Sequence, residues 1–99
     1  MYGMIGRIKA QPGKRAELAA ILLEGTGSMP GCLAYVVAED MADPDVLVVT
    51  EAWDSKQNHD DSLKLPVVQA AMVKGRPLIA GFEKIAETVP LGGVGLPHG

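Results

Sequence analysis

From Tyr2 to Ala10, small and apolar residues alternate along the chain. Tyr2, Met4, Gly6, Ile8 and Ala10 fall on one side, and Gly3, Ile5, Arg7 and Lys9 on the other, a period of two that predicts a strand. Gln11, Pro12 and Gly13 break it. From Lys14 to Glu24 the period becomes helical, with Leu18, Ile21 and Leu22 on one face and Gly25 and Gly27 as stops. A turn signal at Pro30 and Gly31 precedes two apolar runs, Cys32 to Glu39 and Val46 to Trp53, separated by the polar loop 40–45. In the first run Leu33, Tyr35 and Val37 oppose Ala34 and Val36. In the second Leu47 and Val49 oppose Val46 and Val48. Strands apolar on both sides are strands covered on both faces.

Ser55 is suited to cap a helix that begins at Lys56 and carries Asn58, His59, Asp60 and Asp61 in its first turns, where negative charge suits the helix dipole. Pro66 interrupts it and opens a second helical stretch to about Lys74, with Val68, Ala71 and Met72 on one face and Gly75 as the stop. Residues 77–81 read as a connector, and a last strand is predicted from Phe82 to Val89. The order is strand, helix, strand, strand, helix, strand: an α+β, split βαβ arrangement with a four-stranded antiparallel sheet and both helices on one face. The helices cover one apolar face of the sheet. A second copy of the same sheet is the simplest cover for the other, so a homodimer through sheet faces is expected. Residues 1–89 form the single expected domain, and the Gly- and Pro-rich residues 90–99 form a tail that either stays mobile or drapes over a partner subunit.

The 99 residues carry a net charge of −3, with Lys and Arg scattered along the chain and only Lys14 and Arg15 adjacent, which leaves no basic stripe to neutralise a run of phosphates; nucleic acid is not an expected partner. No apolar stretch reaches the length of a membrane span, and the chain starts on a strand rather than on a basic leader with an apolar core. Cys32 is the only cysteine, so neither an internal disulfide nor a Cys/His zinc site is expected, and the expected location is the cytoplasm.

Candidate chemistry gathers after the third strand. It ends in Trp53, the single tryptophan, which offers a flat apolar wall and an indole N–H for one hydrogen bond. His59 lies six residues on, with Asn58 beside it and Ser62 on its helical face, and a histidine there can take a proton from a bound phenol. Tyr35 can point a hydroxyl into the same pocket, Met72 adds a wall residue, and Arg76 can either cap the second helix or clamp an anionic oxygen. Asp60 and Asp61 are adjacent, so their side chains diverge on a helix and form no acid–base pair.

Glu51-Ala52-Trp53-Asp54-Ser55 leading to His59, then Leu65-Pro66-Val67-Val68-Gln69-Ala70-Ala71 and Gly75-Arg76-Pro77-Leu78-Ile79, resemble the antibiotic biosynthesis monooxygenase (ABM) family and its quinol monooxygenase-like members. The opening strand, Pro-Gly break and helix resemble that family too. The resemblance implies a dimeric ferredoxin-like α/β barrel and oxidation of phenolic, quinol or anthrone-like aromatic substrates by O2 without metal, flavin or haem. It also implies that His59 helps deprotonate the substrate, with Trp53, Asn58, Ser62, Met72, Arg76 and Tyr35 binding it. Many members carry their helix histidine four residues before the proline that matches Pro66; here that slot is Ser62, and His59 stands three residues earlier on roughly the same face. Haem-degrading relatives use an Asn on the first strand, which residues 2–10 lack. The alternative from another class is a non-catalytic dimer that binds or senses a small molecule.

Overall fold

In the computed structural model, which describes residues 1–25, 27 and 29–97, the chain runs β1 (Tyr2–Ala10), α1 (Arg15–Gly25), β2 (Cys32–Glu39), β3 (Val46–Trp53), α2 (Lys56–Ser62), α3 (Pro66–Gly75), a 3-10 turn (Arg76–Leu78) and β4 (Ile79–Thr88). The four strands form one antiparallel sheet in the order β2-β3-β1-β4, the expected α+β ferredoxin-like fold. β4 starts three residues earlier than its apolar pattern suggests. Ile79 already pairs with Ala10, and the Gln11 N–H donates to the Leu78 carbonyl at 2.7 Å; backbone pairing decides where a strand begins, whatever its side chains.

Strand register sorts the side chains onto two faces. Rows Leu47–Ile8–Phe82, Val37–Val49–Gly6–Lys84, Tyr35–Glu51–Met4–Glu87 and Trp53–Tyr2 sit side by side on the face toward the helices. One end of that face is the hydrophobic core: Ile8, Ala10, Leu18, Leu47 and Val49 are all buried, with Leu22 and Ile79 packed against them. The opposite face carries Val36, Thr50, Ile5 and Ala86 in one row and Ala38, Val48, Arg7 and Glu83 in the next. Val36 on the edge strand β2 is 54% exposed there, and Thr50 beside it on β3 is exposed too, so within one chain this row is bare.

Gly25 and Gly75, which the sequence marks as helix stops, have a second role. A Cβ at Gly25 would meet Ala71 Cβ at 2.8 Å, and one at Gly75 would meet Leu18 Cδ1 at 3.3 Å. The two helix ends let α1 and α3 approach closely, and both glycines are buried. Gly31, at φ 78°, turns the chain into β2 where a side chain would collide with Asn58.

Helix α2 has only seven residues, too few to be stable alone. Its start is held by Ser55, whose Oγ accepts from the Asn58 N–H at 3.1 Å. Because the helix begins at Lys56, Asp60 and Asp61 fall in its second turn rather than at its dipole-favoured start. There they pair back one turn, Asp60 with Lys56 and Asp61 with Gln57. Ser55→Ala is expected to lower stability by about 1 kcal/mol in urea unfolding, the usual loss for an N-cap.

Residues 89–97 follow β4 outside the sheet, with Val89, Leu91 and Val94 exposed. The last two residues of the predicted tail, 98 and 99, lie outside the described residues. Among the described residues no helix is long and apolar enough to cross a membrane.

Candidate active site

Where the core ends, the helix-facing side of the sheet opens into a cavity of about 470 Å³, within the range that takes a small organic ligand. Leu18, Leu22, Met29, Val68 and Met72 make its apolar walls, and Leu63, Met72 and Phe82, each at least 44% exposed, are the most open of its apolar residues. Its polar side chains are few: Tyr35, Glu51, His59, Ser62 and Lys84.

Glu51 is the unexpected member of that set. It lies on the buried face of β3, two residues from Trp53 and therefore on the same side, and is only 8% exposed. The Trp53 Nε1–H donates to Glu51 Oε1 at 3.0 Å. From the sequence this indole N–H reads as free for a ligand; the strand alternation turns it onto a carboxylate instead. Burial pushes the Glu51 carboxyl above its ordinary range, against the opposing pull of the Trp53 hydrogen bond and of His59.

His59 reaches the same corner from α2. Its ring lies between Tyr2 (centroids 5.4 Å apart) and Trp53 (5.6 Å, edge-on) and its side chain is 14% exposed. Nδ1 sits 3.0 Å from Asp60 Oδ1, and this bond to His59 is the main reason the Asp60 carboxyl is held low. With the Nδ1 hydrogen directed at Asp60, Nε2 faces Glu51 Oε1 at 3.9 Å. Tyr2 is itself anchored: its hydroxyl donates to Glu87 Oε2 at 2.7 Å. Carboxylate, indole and imidazole thus hold one another in place, two from a strand and one from the helix that follows it.

The other candidates divide. Tyr35 pairs with Glu51 across the β2–β3 ladder and lines the cavity; burial and the Glu51 charge keep its hydroxyl protonated. Ser62 is buried and lines the cavity, but its hydroxyl donates to the His59 carbonyl at 2.6 Å. Met72 contributes apolar wall. Asn58 and Arg76 are not among the lining residues: Asn58 packs over Gly31, and Arg76 stands exposed at the C-cap of α3. Among the described residues no group of three or more His, Cys, Asp or Glu side chains comes together that could hold a metal ion.

Spacing alone does not single out Glu51, because one acid in an apolar strand is ordinary. The available signal is its parity with Trp53 and Val49, which places a charge on an otherwise buried face. One consequence is measurable. A carboxyl whose pKa is raised by folding favours the folded state most when protonated, and that contribution is lost as pH rises from the ordinary value of 4.5 through the raised one. Glu51→Gln is therefore expected to raise Tm at pH 7, with the gain shrinking to nothing near pH 4.

Residues 1–74 match the family described as antibiotic biosynthesis monooxygenase. A protein from Chloroflexus aurantiacus J-10-fl, named for that class, is 57% identical; its crystal structure superposes with a TM-score of 0.92 over 97% of this chain and 98% of its own. A second protein so named, from Caulobacter crescentus CB15, is 25% identical with a TM-score of 0.75 over 85% of this chain and 86% of its own. The uncharacterised protein sll1783 of Synechocystis sp. is 30% identical over 94 residues, covering 87% of this chain, which spans 64% of that relative's length.

Proposed function

This chain belongs to the antibiotic biosynthesis monooxygenase family, and from that premise we propose that it is a cofactor-independent monooxygenase acting on a phenolic, quinol or anthrone-like aromatic substrate with O2. One observation carries the reading: a buried acid–imidazole corner, Glu51 and His59, set in a cavity whose remaining walls are largely apolar. An aromatic ring suits those walls, and its acidic O–H or C–H suits that corner.

The protein's task in such a reaction is to bind, deprotonate and exclude bulk water. His59 assists deprotonation by placing its ring against the acid. The anion then passes one electron to O2, and the two radicals combine at carbon to give a peroxide. Loss of water leaves one oxygen atom in the new carbonyl and the other in the water, so an anthrone or quinol supplies all four electrons itself.

The test is oxygen uptake by the purified chain with a panel of hydroquinones and anthrones and nothing else added. Uptake matched by quinone formation is the expected result. Absence of uptake with every member overturns the reading in favour of a dimer that only binds its ligand.

The same reading includes a homodimer through the outer sheet face, supported by the bare row around Val36, Ile5 and Thr50. Light scattering is expected to give the mass of two chains. Val36→Arg, which puts a charge on that face at the edge strand β2, is expected to shift the mass toward one.

A further inference from the structure

We propose that Glu51 is the group that receives the substrate's proton, on the carboxylate oxygen that Trp53 leaves unoccupied. The inference deepens the monooxygenase reading and rests on it for the oxidative steps after proton transfer; the transfer itself needs no oxygen.

Three features of the cavity support it. Glu51 is the sole carboxylate among the residues lining it. Its Oε1 takes the Trp53 indole hydrogen and stands 3.9 Å from His59 Nε2, whereas no described residue bonds its Oε2. Trp53 therefore holds one oxygen, with the His59 ring near it but beyond hydrogen-bond reach, and the other remains for a ligand's hydroxyl. Tyr35, opposite Glu51 on the neighbouring strand, lines the cavity with a hydroxyl that has no partner among the described residues. It is placed to donate to the oxyanion that the transfer creates.

The physical drive is the relocation of a charge. A carboxylate this deeply buried concentrates its charge on two oxygens in a largely apolar cavity, which is costly. When a phenol donates, its O–H bond breaks with the electron pair left on the substrate, and an O–H bond forms on Glu51. The net charge in the cavity is unchanged, yet it now spreads over an aromatic ring. Burial thus makes Glu51 a stronger base than a surface carboxylate. His59 has less freedom to act directly. Its Nδ1 is held by Asp60, and its ring is wedged between Tyr2 and Trp53.

Glu51→Gln tests this, because glutamine keeps the size and the acceptor for Trp53 while removing the basicity. The probe is 4-nitrocatechol, added without oxygen at a pH below its own ionisation and read by its visible phenolate band. Wild-type protein is expected to bind it as the anion. The Glu51→Gln protein is expected to bind it within about threefold of the wild-type affinity but as the neutral phenol, and to lose at least about 100-fold in oxygen uptake with the best hydroquinone or anthrone. A wild-type complex that lacks the phenolate band, or a variant that shows the same band, overturns the inference, as does uptake by Glu51→Gln within about threefold of wild type. Ionisation of the probe that depends on Glu51, with no oxygen uptake from any substrate, sinks the monooxygenase reading and leaves Glu51 as the proton acceptor. Wild-type protein that neither binds the probe nor consumes oxygen overturns both.

Discussion

His59→Ala is expected to lower oxygen uptake on a good substrate by about 100-fold, mostly in kcat, because the imidazole supports the acid rather than the substrate's apolar body. The apolar walls around Leu18, Leu22, Val68 and Met72 persist in the variant, so KM is expected to change little. Removing the ring also withdraws an edge-on contact from Trp53 and a tilted one from Tyr2, about 0.5–1.5 kcal/mol each for aromatic pairs. Circular dichroism and urea unfolding on the same sample therefore belong beside the kinetics. Unchanged uptake would remove His59 from the mechanism. Loss of uptake through KM alone would make it a wall residue.

Leu18→Ala is the substitution expected to damage the fold most. Leu18 is fully buried on α1, packs in the cluster of Ile8, Ala10, Leu47 and Val49, and approaches the buried Gly75 of α3. It is also a wall of the cavity. Truncation removes apolar contacts and enlarges an existing void that cannot close without shifting α1, so a loss of about 2–5 kcal/mol is expected. Against a total stability of about 5–15 kcal/mol for a small domain, that is a large fraction. Urea midpoints compared with Val73→Ala, at a position 67% exposed on α3, give the measurement. A difference below about 1 kcal/mol between the two would contradict the placement of the core.

These two residues differ in how far the sequence reveals them. Leu18 is legible at once, since a leucine at i with Ile21 and Leu22 at i+3 and i+4 defines the inward face of a helix. The three strands up to Trp53 are legible to the residue, and Ser55 announces the start of α2 by its chemistry. His59 and Trp53 stand out by type. Their relation does not, because whether an indole hydrogen meets a ligand or Glu51 depends on which neighbours the strand presents. Side chains alone make β4 too short, for Ile79 and Gly81 join the sheet by backbone pairing with β1.

What the sequence determined by itself is therefore local and periodic: element order, the faces of each element, and the absence of a disulfide or a basic stripe. These follow from steric preference and alternation, which neighbours along the chain already settle. The tertiary structure alone decided that a strand acid, a strand indole and a helix imidazole meet at the cavity wall, and that Arg76 and Asn58 stand apart from it. The proton affinity of Glu51 depends on how much water and how many donors reach it. Packing among β1, β2, β3 and α2 sets both, and no stretch of the chain read on its own contains them.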